Sequence, residues 1–289
     1  MDSSVTYAAV LPIDRAVVGW FSRKLACHRR NLKTKANTRQ LTAWAQAVLV
    51  LRWLLDGTRI RQLQGDNNLG CTTTYAYLWE ELKVLAVQAP TMADAIDAAR
   101  AAGDSYIGLD GTLILMAKTH LRGPTDGVDL WLSGKHHRHG ANIQVMSAPD
   151  GYPLWVFETR PGREHDSTAV IKHGKEEDLA LLSVGIEDRL RLLALVDLGY
   201  EKFKDFLSVH MPHKKKPKKE LNLAQKQYNK AIGAARALAE KANADLNVRS
   251  KALALVSLNP WRIGTIVKAC LAVFRIDRPR GSRLTPSHG

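Results

Sequence analysis

The chain has 289 residues, 45% hydrophobic and 24% charged, enough for one large domain or a core domain with a smaller one attached. Its 42 Lys and Arg against 28 Asp and Glu leave a formal charge of +14, the balance of a protein that meets a polyanion, most often nucleic acid. No apolar run reaches the ~18 residues of a membrane span, no signal peptide opens the chain, and the scattered Cys27, Cys71 and Cys270 form no zinc pattern and point to a reducing, cytosolic setting.

Residues 1–37 read as a basic arm. No acid stands between Asp14 and Asp56, while Arg23, Lys24, Arg29, Arg30, Lys33, Lys35 and Arg39 accumulate and would attract phosphates. From Thr38 the apolar spacing turns helical through Leu41, Trp44, Val48, Leu51 and Leu55, and Gly57 ends it. A short helical piece, 59–64, and a turn-rich GDNNLG segment lead into a second pattern over 72–86, with Tyr75, Leu78, Trp79, Leu82 and Leu85 on one face. Residues 38–102 thus read as an all-α helix-turn-helix domain, closed by a connecting helix over 92–102. In that geometry Thr73, Thr74 and Tyr77 lie off the apolar face near the helix start, where base edges or phosphates would be met; a plain helical hairpin is the competing reading.

The middle of the chain reads as sheet. Residues 105–116 (SYIGLDGTLILM) make a buried strand carrying one acid, Asp110, flanked by Gly108 and Gly111. A carboxylate there needs a compensating cation, hydrogen bonds or a raised pKa; a turn-capping Asp is the alternative. Strands over 142–146 and 154–159, joined at the Ala148-Pro149-Asp150-Gly151 turn, form an antiparallel meander, and 192–196 is a further short strand ending at Asp197. The run MPHKKKPKKE (211–220), with two prolines, is a basic loop. It leads into a long helix over 221–255 whose polar stripe carries Asn229, Gly233, Arg236, Glu240, Asn243 and Asn247. An apolar helix over 261–274 and a basic tail, 275–289, complete an α/β (α+β) layered plan.

Two strand acids, Asp110 and Asp197, and one helix acid, Glu240, form a set that could clamp two hard cations roughly 3.5–4 Å apart for in-line phosphoryl displacement. Among cations, Mg2+ suits such a site. The histidines His136, His137 and His139 lack a neighbouring cysteine or zinc-ligand spacing, and a DNA-facing basic loop is the better account of them.

These residues also resemble a known family. Gly108-Leu109-Asp110-Gly111-Thr112, Ser133-Gly134-Lys135-His136, Pro161 to Asp166 (PGREHD), Asp197-Leu198-Gly199-Tyr200, Pro212 to Pro217 (PHKKKP) and Arg236 to Glu240 stand in the order seen in bacterial insertion-sequence DDE transposases, of the Harbinger-like DDE endonuclease subfamily. The similarity covers roughly residues 38 to 274. It implies an RNase H-like mixed-sheet core over 103–274, with Asp110, Asp197 and Glu240 as catalytic and metal-binding acids. It implies two Mg2+ ions, with Mn2+ as substitute, and a dimer or higher multimer on double-stranded DNA. A bacterial, cytoplasmic, nucleoid-associated enzyme that cuts element ends and joins them to target DNA follows from it. Asp166 is the rival for the second acid, but its segment resembles the family's His-Asp motif, which does not bind metal, and an N-cap is the preferred reading. Lys135, Arg138, Lys214, Lys215, Lys216, Lys218, Lys219 and Arg236 would approach the DNA backbone. Two departures stand out: Glu201-Lys202 where relatives often carry glycine, and Leu246-Asn247 in place of a Leu-Lys pair. A transposase-derived DNA-binding protein without catalysis is the alternative function, and a nuclease of RNA–DNA hybrids a third.

Overall fold

A computed structural model describes residues 10–35, 37–174, 179, 192–217 and 219–281. The N-terminal part is helical: α1 (Arg15–Asn31), α2 (Ala43–Leu51, continued by a π-turn to Asp56), α3 (Ile60–Asp66), α4 (Cys71–Ala86) and α5 (Met92–Ala101). Local chemistry sets the starts. The Asp14 carboxylate accepts from Ala16 N at 2.6 Å, Thr42 caps α2, and Thr91 with Asp94 forms a full capping box on α5.

The expected basic arm is instead largely a helix. Its cations mask the pattern, but Val17, Val18, Phe21 and Leu25 recur at helical spacing and are buried against α2 and α4. Residues 1–9 of that arm lie outside the described residues.

The sheet is built from β1 (Tyr106–Leu115), β2 (Leu132–Ser133), β3 (Arg138–Ser147), β4 (Pro153–Val156), β5 (Arg160–Pro161), β6 (Leu193–Leu195) and β7 (Val209–His210). Its path is β2-β3-β1-β6-β7, with β4 and β5 also paired to β3. β1 is antiparallel to β3 and parallel to β6, and β6 is parallel to β7. The β3–β4 meander is as expected, and Gly151 in its turn has φ +79, a region costly for any side-chain-bearing residue. Three further helices complete the described fold: α6 (Asp166–Lys172), α7 (Leu223–Arg249) and α8 (Ile263–Asp277).

Alternation along β1 sends its side chains to two different apolar clusters. Ile107 and Leu109 join Met146, Ala194 and Val196 beneath α5. Ile114 and Met116 join Ile143, Val145, Leu246, α8 and the helices α1, α2 and α4. That second cluster runs from Val17 to Val273, so the helices α1 to α4 share one core with the end of the chain, while α5 packs in the first cluster. The start of the basic tail is tied down: the Arg280 guanidinium holds Asp104 at 2.7 and 2.9 Å and Asp150 at 3.0 Å. Residues 282–289 lie outside the described residues. No helix of the described residues is long and apolar enough to cross a membrane.

Candidate active site

Strand register brings the first two acids together. Gly108 on β1 faces Leu195 on the parallel β6, so two residues on, Asp110 stands level with Asp197, just past the end of β6. Neighbouring strands lie ~4.8 Å apart. The Asp197 carboxylate accepts from Gly199 N at 2.7 Å, fixing the 3-10 turn Leu198–Phe203 that follows.

Helix α7 supplies the other side. Arg236, Glu240 and Asn243 recur at i, i+4 and i+7, one face of the helix. Arg236 Nη2 lies 3.4 Å from Asp110 Oδ1, and Asn243 Nδ2 donates to Asp110 Oδ2 at 2.9 Å. Burial pushes the Asp110 carboxyl above the usual carboxylate range. Arg236 pulls it back, while Asp197, Glu240 and Asp166 push it up again. Asp110, Asp197, Glu240, Arg236, Lys135 and Arg138 all line one cleft of about 470 Å³.

The opposite face of β1 carries a polar network that the sequence reading missed. Asp166 is not an N-cap: His165 holds that position, and the Asp166 carboxylate turns to the sheet. Its Oδ1 accepts from Gln144 Nε2 at 2.8 Å and Asn142 Nδ2 at 3.0 Å. The Tyr200 hydroxyl donates to Gln144 Oε1, and burial raises the Tyr200 pKa well above its ordinary value. Gly111 makes this possible: a Cβ there would overlap Asp166 Oδ1 and stand 2.8 Å from its Cγ. The readable signal was two amides, Asn142 and Gln144, at alternate positions of an otherwise apolar strand.

The expected DNA contacts divide. Thr74 and Tyr77 are 0% and 3% exposed, with Thr74 Oγ1 donating to Gly70 O at 3.0 Å and Tyr77 Oη accepting from Gln40 N at 2.9 Å, so neither reads bases. Helix α4 is wrapped by α1, α2, α3 and α8, and these two positions face that packing. Thr73 is half-buried near the helix start. Lys135, Arg138, Lys214, Lys215, Lys216 and Lys219 are exposed, though Lys214 pairs with Glu201 at 3.0 Å and Lys215 with Glu220 at 2.5 Å. Arg236 sits inside the cleft on Asp110. Lys218 lies outside the described residues.

A family model for the DDE superfamily endonuclease matches residues 109–275, more than half of the chain and a span that holds every acid just described. The chain belongs to the DDE superfamily endonucleases. Such enzymes act on DNA and usually use divalent metals, which supports a metal-dependent nuclease. No curated protein matches the chain, and no solved structure does. Donor chemistry in this endonuclease fits a hard divalent cation, because the cleft gathers carboxylate oxygens whose mutual repulsion a cation would relieve. Among the described residues no three His, Cys, Asp or Glu are drawn in closely enough to hold an ion by themselves. Arg236 partly neutralises Asp110 from a distance long for a charged hydrogen bond, an interaction that a stronger cation would displace.

Proposed function

We propose that this endonuclease is a DNA transposase that cuts element ends and joins them to target DNA, with an RNase H-like core. The observation that carries the reading is the convergence of Asp110, Asp197 and Glu240, from two parallel strands and one helix, on a cleft flanked by Lys135 and Arg138. These three acids would hold two Mg2+ ions, with Mn2+ as substitute. When bound, the metal pair supplies charge to the phosphate oxygens and activates water or a 3′-hydroxyl for in-line attack.

The chain's own residues do the rest. Backbone register sets Asp110 level with Asp197 and the Gly199 N–H holds the Asp197 carboxylate, while Asp110 would exchange its contacts with Arg236 and Asn243 for the ion. Lys135, Arg138 and the Lys214–Lys219 loop hold the backbone of double-stranded DNA by charge, and Arg236 brings a cation to the scissile region. Base recognition falls to the exposed start of α4 around Thr73 and to the cationic face of α1. A homodimer or larger assembly brings two DNA ends together, and bacterial, nucleoid-associated action fits the charge of +14.

The test is Mg2+-dependent cleavage of duplex DNA carrying the element's terminal repeats. Wild type cuts at the ends, and Asp110→Asn, Asp197→Asn and Glu240→Gln each abolish cutting while leaving DNA binding largely intact. A variant that cuts normally removes that residue from the set. The second reading, a DNA-binding protein without catalysis, is favoured by one observation: Arg236 and Asn243 already engage both oxygens of Asp110. Binding without cutting by wild type would establish it.

A further inference from the structure

We propose that a pocket beside the catalytic cleft seats one nucleotide lifted out of the duplex next to the bond that is cut. The proposal rests on the reading of the cleft as the nuclease site given above. The pocket holds about 260 Å³ and shares one wall with the cleft: Gly111, Thr112, Leu113, Lys135 and His136 line both. A DNA strand whose phosphate lies among Asp110, Asp197 and Glu240 can therefore send its neighbouring nucleotide over that wall. The volume is at the small end of ligand pockets, room for one base with its sugar and not for a stacked base pair.

The pocket's chemistry is graded as a nucleotide is. Lys135, His136 and His165 are exposed and, with half-buried Arg163, put basic groups on its outer side, where a backbone phosphate would lie. Deeper in the wall, Asn142 is 7% exposed and donates to Asp166 Oδ1, the same oxygen that Gln144 grips. A carboxylate only accepts hydrogen bonds and offers about four acceptor positions, so two amides leave Asp166 capacity for a further N–H donor. A base edge carries such donors, and a phosphate carries none. The other acid of the pocket, Glu164, is neutralised by Arg160 at 2.7 and 2.8 Å and by Lys172 at 2.5 Å, so it adds little repulsion toward a DNA strand. Lifting a base out costs stacking and pairing energy, which these contacts would offset.

The probe is duplex DNA carrying the element's terminal repeat, with 2-aminopurine placed in turn at each position flanking the cut and Ca2+ replacing Mg2+ so that the strands stay whole. This base analogue is dim when stacked and bright when lifted out. Wild type should raise its emission severalfold at one position, and acrylamide should quench that emission less than it quenches the free single strand, because the pocket encloses the base. Gly134→Phe should remove the rise while duplex affinity stays within about twofold, since the phosphate contacts remain. Gly134 suits the block: it lines the pocket, and a Cβ there meets no heavy atom within 4 Å, so the ring enters open space. Gly134→Ala should match wild type. If thermal melts show Gly134→Phe to be unfolded, the acrylamide comparison on wild type decides. A rise that survives in folded Gly134→Phe overturns the proposal, and so does one quenched as readily as the free strand. No rise at any position, from a protein that cuts the same duplex with Mg2+, overturns it while leaving the nuclease in place. Failure of wild type to cut that duplex would overturn the transposase reading, and this proposal with it.

Discussion

Replacing Glu81 with Gln tests the helical core through its response to pH. Glu81 sits in α4 at 0% exposure, with neither carboxylate oxygen hydrogen-bonded among the described residues. Burial pushes its pKa from 4.5 to about 8, opposed by Arg29 and reinforced by Glu80. The unfolded chain therefore releases this proton near 4.5, while the folded chain keeps it until about 8. Across that window the folded state binds more protons, so the group's contribution is fully present below 4.5 and is lost as pH rises through about 8. Each pH unit removes about 1.4 kcal/mol, so between about pH 5 and pH 7 wild type loses about 3 kcal/mol through this residue alone. Gln does not titrate, and its burial costs the same at every pH. Urea unfolding of wild type and Glu81→Gln across this range reads the difference directly, because the other carboxylates cancel in the comparison. The stability difference should move by about 3 kcal/mol in the variant's favour on going to neutral pH. A difference that stays flat would mean that Glu81 is ionised in the fold and held by a partner, and would refute the reasoning.

Gly111→Ala places a Cβ onto Asp166 Oδ1 and 3.0 Å from Gln144 Nε2. Overpacking of this kind costs about 1–3 kcal/mol and displaces the strand that carries Asp110, so unfolding should come earlier and cleavage should fall together. Tyr200→Phe strands Gln144 Oε1 in a buried site and should cost about 1–3 kcal/mol in urea unfolding. Lys135→Ala with Arg138→Ala should weaken duplex binding at every sequence tested and flatten the plot of log affinity against log salt by about 0.9 for each phosphate no longer neutralised. An unchanged slope would move the DNA path away from these two side chains.

The strand-borne acids were legible because a lone carboxylate inside an apolar run is chemically conspicuous, and because two parallel strands of equal parity put Asp110 and Asp197 side by side. Glu240 was legible from the polar stripe of a long helix. Asn243 stood on that same stripe, but an amide resembles any solvated surface residue until its burial is known. Asp166 misled for a physical reason: Asp followed by Ser before an apolar run is the usual look of a helix start, whereas here the backbone of His165 takes that place and two amides claim the carboxylate. Thr74 and Tyr77 were misjudged because a helical wheel assumes one buried face, while α4 is enclosed on several sides. The helix within the basic arm was hidden by charge, although Phe21 and Leu25 stand four apart as a helix requires.

The packing of α4 against α8 has a bearing on how the protein is made. A ribosome delivers α1 to α4 first, yet the wall that Leu78, Leu82 and Leu85 lean on includes a helix, 263–277, that emerges only after the entire sheet. Until then α4 can pack only against α1, α2 and α3, and the side that meets 263–277 stays open, so the early helices remain an unfinished half. A message truncated before Ile263 thus yields helices that lack one side of their core. Completion of the helical half and of the nuclease core thus becomes a single late event, because both wait on the same C-terminal helix.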